Sequence, residues 1–503
     1  MNKVLLVNTN LMKPAIAPIG LDYLASALRN KGYQADLLDL CFAEDFRKAI
    51  DEYFKNNSPV VVGITVRNTD DCYFQSGDFF LPKIKEIIHY LKPKTNSPLI
   101  MGGVGFSIMP EQILSYCGID LGISGDGELT FTRLVEKISS GEDYHSLAGL
   151  IWCKKGILYS NPREYFDLDK VLEPERNFIN NQRYFKEGGQ GNIETKRGCN
   201  QKCIYCADPI AKGRKIRLRS AKKVVQEIKN LLKQGIDCLH TCDSEFNLPE
   251  EHAKAVCEEI IRQKVNAKVK WYTYCSPYPF TEDLAKLMKK AGCVGIDFGV
   301  DSGSPKILKI LKRNFGVEKI KNTAKLCHKF GITFMYDLLL GGPGETRETV
   351  KETISLMKKV SPDRIGVMLG VRVYPGTELA RVVRDEGRGL QGDRNDNFLS
   401  PIFYLSPQLR SPHRRPAEEA GEDIDKYISD LIAGDERFFF ASKEGAVDPA
   451  LARKPRSCVQ GRGKGGVDYN YNQNQILMQA IKQGYKGAYW DILRRWQRKA
   501  PTT

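Results

Sequence analysis

The stretch KRGCNQKCIYCADP, residues 196–209, sets Cys199, Cys203 and Cys206 at C-x3-C-x2-C spacing. Zinc asks for four ligands, ordinarily as two close pairs, and no second pair follows at a usable distance. A disulfide leaves one thiol over. Three thiolates from one loop can hold three irons of a [4Fe-4S] cluster and leave the fourth iron open to another ligand. On that reading the missing fourth cysteine is an open coordination site.

Such a loop has to be presented by rigid elements. From GNIETKRGC onward, strand candidates IETK, CLHTCD, VKWYTY, VGIDFGV, TFMYDLLLGG and RIGVMLGV alternate with helical stretches such as SAKKVVQEIKNLLKQG and TEDLAKLMKKAG. Six β-α units predict a partial parallel barrel over residues 191–380, a fold whose functional residues gather after the strands. The distinctive loops fall there: the cysteines after the first strand, DSEF after the second, DSGS after the fourth and GGPGET after the fifth. Upstream, β-branched runs such as KVLLVN, PVVVGITV and PLIMGG alternate with amphipathic stretches, predicting a doubly wound, Rossmann-like α/β domain over residues 1–141. Its carboxyl edge carries TVRNTDDC, GGVGFS and SGDGE. Glycines in these loops allow close backbone approach to a large ligand, or simply make turns. Residues 142–190 read as a connector with a small hairpin and a polar linker. Residues 381–503 read as an Arg-rich, mostly irregular or helical extension, in which Tyr489, Ile492, Leu493 and Trp496 form a packing face at helical spacing.

Composition sets the outer limits. A chain of 503 residues, 42% hydrophobic, is too long for one ordinary domain and can fill two or three cores. The sequence holds no apolar stretch of bilayer length and no cleavable leader, so a cytoplasmic protein is expected. Fourteen cysteines, scattered outside the one motif, fit reduced thiols. A net charge of +15 permits anionic partners. The basic clusters, SPHRRPAEEA and DILRRWQRKA, accompany no nucleic-acid motif, so solvated surface is the expectation and nucleic acid is not an expected partner.

With Tyr205 before the last cysteine, the motif resembles the signature of radical S-adenosylmethionine enzymes. In that family the open iron binds the amino and carboxylate groups of the methionyl moiety. The resemblance of DSEF, GVDSGS and GGPGET to family motifs implies Asp243, Ser244 and Glu245 near the methionyl group, Asp301 and Ser302 near the ribose, and Gly342 near the adenine, with Tyr205 packed beside it. The N-terminal domain, with APIGLDYLASAL near its start and GISGDGELTFTRLV at its end, looks like the cobalamin-binding domain of cobalamin-dependent members. That likeness implies Gly102, Gly103, Gly105, Ser107, Gly125, Gly127 and Glu128 as cobalamin contacts. The D-x-H-x-x-G motif that supplies an imidazole to cobalt is absent, so cobalamin is expected to bind without a histidine below it. Arg67 is a candidate for that lower face, a surface salt bridge being its other reading. The resemblance covers residues 1–378 and NFLSPIFYLSP after the barrel.

It implies a C-methyltransferase acting on a small-molecule or lipid substrate: one S-adenosylmethionine methylates cob(I)alamin, a second yields a 5'-deoxyadenosyl radical, and the substrate radical takes methyl from cobalt. An external electron donor of flavodoxin or ferredoxin type is implied as partner. Glu245 has two roles open to it, contact with substrate or methionyl amine, or direct reach to the cluster that leaves S-adenosylmethionine a plain methyl donor. Tyr274, with Tyr272 and Tyr278 in WYTYCSPYP, could line the pocket or donate protons, or serve strand packing. Rival readings are cyclisation or rearrangement with the same cofactors, and a non-enzymatic iron-sulfur redox sensor.

Overall fold

The structure is a computed structural model that describes residues 3–171, 175–386, 390–391, 398–409, 420–440 and 470–498. Arg414 and Arg415 of the basic cluster lie outside the described residues.

In the first sheet, strands Gln34–Asp39, Lys3–Asn8, Val61–Thr65, Leu99–Gly102 and Leu121–Ile123 lie side by side in that order, all parallel. Val4, Leu5, Leu6 and Val7 are all fully buried, as a strand covered on both faces requires. The chain builds outward in one direction, then crosses back, so the connections diverge between Lys3–Asn8 and Val61–Thr65. Ligands of such sheets sit at this switch point. The hairpin Leu150–Lys154 and Ile157–Ser160 joins the same sheet antiparallel beside Leu121–Ile123.

The second sheet is the partial barrel. Gly191–Ile193, Cys238–Thr241, Lys270–Cys275, Cys293–Asp301, Thr333–Leu340 and Arg364–Leu369 pair in succession, all parallel, and are called here the first to sixth barrel strands. A seventh, Phe438–Phe439, comes from the C-terminal segment and lies parallel beside the sixth. Two residues are too short to show alternation in a sequence.

The amino-terminal half of the lumen is plugged by two C-terminal helices, Gln475–Lys482 and Tyr489–Gln497. Leu477, Ile481, Trp490, Ile492 and Leu493 pack there on Cys238, Tyr272 and Met335. Gly295 of the fourth strand makes the room, since a Cβ there would lie 2.6 Å from the Tyr272 ring. Tyr272 is committed to the plug: its hydroxyl donates to Asp491 Oδ2 at 2.7 Å.

A buried ionic network joins the sheets. Arg176 Nε lies 2.8 Å from Asp22 Oδ2 and its Nη1 2.8 Å from Glu227 Oε1, while Arg219 Nη2 lies 2.7 Å from Glu227 Oε2. Tyr23 donates to the same carboxylate at 2.9 Å. Charges removed from water this completely need mutual pairing to persist.

Candidate active site

The cysteine loop leaves the first barrel strand through Gly198, whose φ of +92° and contact with the Lys215 carbonyl exclude a side chain. Backbone bonds from Cys199 N to Gly213 O (3.0 Å) and Ile204 N to Leu311 O (3.3 Å) pin the loop. All three thiols are free. Burial pushes Cys199 up to about 11, so a bound cation has to supply the pull that ionises it.

Arg313, which no motif marked, organises the surroundings. Its Nη1 donates to Cys203 Sγ at 3.0 Å and to the Tyr205 hydroxyl at 3.2 Å, and its Nη2 donates to Gly299 O at 2.6 Å. Nε lies 3.3 Å from Asp301 Oδ2, and Nη2 lies 3.9 Å from Glu245 Oε1. Burial opposes the guanidinium charge, but Asp301, Tyr205, Cys203 and Glu245 outweigh it and hold its pKa well above the ordinary value.

Asp301 reaches this hub because a register shift between Gly299 and Asp301 ends the fourth strand with Asp301 at φ +63°. A non-glycine residue held in that region is strained, and such strain gathers at functional positions. Its carboxylate also accepts from the Tyr205 hydroxyl at 2.6 Å. Glu245 is brought to the same face by Lys196, whose Nζ donates to the carbonyls of Glu245, Phe246 and Leu248. Burial lifts the Glu245 carboxyl to about 7 against the pull of Arg313 and Lys196, and its Oε2 is buried without a hydrogen-bond partner.

Other expected site residues are engaged within the protein. Asp243 accepts from Thr195 N (2.8 Å) and Thr195 Oγ1 (2.5 Å), tying the second strand to the first. Ser302 Oγ pairs with Thr353 Oγ1 at 3.1 Å. Ser244 Oγ donates to Asp208 Oδ2 at 2.5 Å. Gly342 N donates to the buried Glu345 carboxyl at 3.2 Å. Tyr278 lies at the surface beside Lys319.

On the N-terminal sheet, the glycines act on neighbouring loops. Cβ atoms at Gly103 (φ +105°) and Gly105 would stand 2.6 Å from Val66 O and 2.9 Å from Arg67 O. Their absence lets the loop after Leu99–Gly102 press on the loop that carries Arg67. Gly102 meets only Ile123 O at 3.7 Å, and Gly127 faces open space. Ser107 Oγ accepts from Gly125 N at 2.9 Å. Glu128 binds Arg197 of the cysteine motif, Oε1 to Nη2 at 2.8 Å, a contact between the two domains.

Arg67 is half-buried. Its Nη1 donates to Asn68 Oδ1 at 2.7 Å, no carboxylate of the described residues pairs with it, and burial pulls its pKa down. It lines a cavity of about 180 Å³ at the switch point with Thr9, Asn10, Met12, Phe80 and Asn472. Asn10 Nδ2 and Asn472 Oδ1 are buried without partners. Tyr274, whose environment Arg67 shares, is 44% exposed and borders the open half of the barrel lumen.

These observations test the implied cofactors. The chemistry of the donor set at the loop, three free thiols with Arg313 beside Cys203, is that of a cluster bound at one thiolate per iron, although among the described residues no three metal-ligating side chains stand drawn together as for a single ion. Glu245 Oε2, orphaned beside that loop, fits an amine or an iron. The unpartnered amide atoms of Asn10 and Asn472 around the switch-point cavity suit a ligand rich in amide groups, as the periphery of a corrin is.

Comparison with known proteins agrees with this division. A family model described as the B12 binding domain matches residues 7–135, and one described as the radical SAM superfamily matches residues 193–357. The tryptophan 2-C-methyltransferase of Streptomyces laurentii is 30% identical over 97% of this chain and 95% of its own length. The structure of TsrM, a radical S-adenosylmethionine methyltransferase of Kitasatospora setae with cobalamin and [4Fe-4S] cluster bound, is similar with TM-score 0.86 and 29% identity, covering 99% of this chain and 98% of that one. Its form with tryptophan substrate and a SAM analogue gives TM-score 0.88 and 30% identity over 99% of each.

Proposed function

The chain belongs to the cobalamin-dependent radical S-adenosylmethionine methyltransferases, and from that premise we propose that it methylates a carbon of a small indole compound, tryptophan being the first substrate to test. One observation carries the choice: likeness to a tryptophan 2-C-methyltransferase runs the length of both chains, through the C-terminal helices that plug one half of the barrel.

Cys199, Cys203 and Cys206 hold the cluster in this reading, Arg313 neutralises it, and the switch-point face with Arg67 holds cobalamin. When bound, the cluster anchors S-adenosylmethionine and cobalamin relays its methyl group. The chain's own work is positional: the ion pairs of Arg313 fix Glu245 and Asp301 at one rim of the lumen, and the C-terminal plug excludes water from below. Tyr274 borders the lumen as a proton donor or acceptor toward substrate. Asp301 and Gly342 at the strand ends are assigned to the nucleoside, with Asp243 acting through the strand ends that it ties and Ser302 through its bond to Thr353. A cavity of about 250 Å³ outside Cys203 and Cys206, lined by Lys202 and Arg214 and by Lys312 paired with Glu378, supports an acidic external electron donor.

A second reading of the methyl source rests on Glu245, since its carboxylate is one residue removed, through Arg313, from a cluster thiol. Direct ligation by Glu245 makes S-adenosylmethionine a plain methyl donor. The test is product analysis after anaerobic reconstitution: S-adenosylhomocysteine with methylated substrate and no 5'-deoxyadenosine supports that variant, both nucleoside products with methylated substrate support the radical one, and an unmethylated substrate overturns the proposed function.

A further inference from the structure

Two carboxyls in the lumen have no part in the chemistry above. Asp297 and Asp337 stand on the fourth and fifth barrel strands, in the otherwise apolar runs VGIDFGV and TFMYDLLL, and their side chains hydrogen-bond to each other. Asp297 is 4% exposed, its Oδ1 accepts no hydrogen bond, and no lysine, arginine or histidine acts on it. Its register partner on the third strand is Tyr274, the residue that borders the open lumen. Tyr471 of the C-terminal segment feels both carboxyls, and Glu245 adds a further negative charge nearby. Burial first, and then the neighbouring Asp337, push the Asp297 carboxyl far up. A buried polar atom without a partner is costly, and native structures keep such atoms where something completes them.

We propose that Asp297, supported by Asp337, receives the protonated amine of the substrate through Asp297 Oδ1, which makes the substrate an amino compound with its reacting ring beside Tyr274. At Asp297 itself the neighbours are carboxyls and phenols, and Arg67 acts on Tyr274 but not on Asp297, so the ammonium end of a substrate is bound there and an anionic group is kept from that end. The inference rests on the small-indole reading above and refines it.

The test needs no turnover. Full-length protein reconstituted anaerobically with iron, sulfide and hydroxocobalamin is titrated calorimetrically with L-tryptophan, tryptamine and indole-3-propionate. The two amines are expected to bind at least about tenfold more tightly than the acid that lacks one. Asp297→Asn, which keeps the shape and removes the charge, is expected to erase that preference, and Asp337→Asn is expected to weaken it. Equal binding of tryptophan and indole-3-propionate by the unmodified protein, or an amine preference that survives Asp297→Asn, overturns the inference while the indole reading stands. Failure of all three to bind overturns both. The wild-type comparison decides the matter even where a variant does not fold.

Discussion

Arg313 touches a cluster cysteine, the aromatic of the motif and two carboxylates, all nearly buried. Arg313→Ala leaves Asp301 buried without its cation and is expected to cost about 3–5 kcal/mol in denaturant unfolding, with Arg313→Lys recovering part of it. An unchanged midpoint for the alanine variant would refute the hub. Serine at Cys199, Cys203 or Cys206 is expected to reduce iron content and charge-transfer absorbance sharply while leaving cobalamin retention intact. Glu345 gives a pH test of the glycine-rich loop. It is fully buried, and burial raises its carboxyl to about 8 from an ordinary 4.5, although Gly341 and Gly342 N–H groups oppose the rise. A carboxyl raised in the folded state stabilises that state below the unfolded value and loses the contribution as pH climbs through the folded one. Glu345→Gln should therefore leave the Tm of cofactor-free protein little changed at pH 5 and raise it at pH 9; the same difference at both pH values contradicts the assignment. The cysteines were legible because their spacing is local. Arg313, in ILKRNF, was not, because its partners arrive from separate strands and meet only in the folded barrel. Asp297 and Asp337 did leave a signal, a lone carboxylate in each of two apolar strands, where an unexplained charge marks a function.

At the scale of elements, periodicity carried well. The parallel runs of the first sheet and the second to sixth barrel strands stand where alternating strand and helix patterns put them, since strands covered on both faces must be uniformly apolar, whereas the first barrel strand is Gly191–Ile193, two residues ahead of the expected IETK, because Lys196 and Arg197 pair with Arg217 and Leu218 instead. Tyr489, Ile492 and Leu493 form the packing face their spacing implied, but its target, the inside of the barrel, was not readable because the helices contact strands about two hundred residues earlier. The glycine loops were only half legible. A glycine permits close approach without naming what approaches. At Gly103 and Gly105 it is the loop bearing Arg67. Gly103→Ala, at φ +105° and against Val66 O, is expected to destabilise the N-terminal domain by about 1–3 kcal/mol and to lower cobalamin retention together with it. Gly127→Ala, facing open space at a helix start, serves as the control. Equal retention by both variants would remove the link between that loop contact and the cobalamin face.

At the scale of the molecule, the two domains are tied together by buried charges. Arg176, Arg219 and Glu227 come from the connector and the barrel, Asp22 and Tyr23 from the first domain, and Arg197 of the cysteine motif reaches across to Glu128. Glu227→Gln leaves the buried Arg219 guanidinium without a carboxylate and Arg176 with Asp22 alone, and is expected to cost about 3–5 kcal/mol. A neutral effect on the unfolding midpoint would show that the domains are held by other contacts. No helix among the described residues is long and apolar enough to cross a membrane. Lys202 and Arg214 lie outside the cluster loop, on the face proposed above for the electron donor.

The central claim is that one chain brings a cluster, cobalamin and a small indole together for methyl transfer to carbon. The most direct measurement is anaerobic: the full chain is reconstituted with iron, sulfide and hydroxocobalamin, supplied with S-adenosylmethionine, a strong reductant and L-tryptophan, and followed by absorbance and product mass. Retained cobalamin, S-adenosylhomocysteine and tryptophan heavier by one methyl group on carbon are the predicted result. Loss of cobalamin on desalting, or 5'-deoxyadenosine accumulating while every substrate mass stays unmethylated, would contradict it.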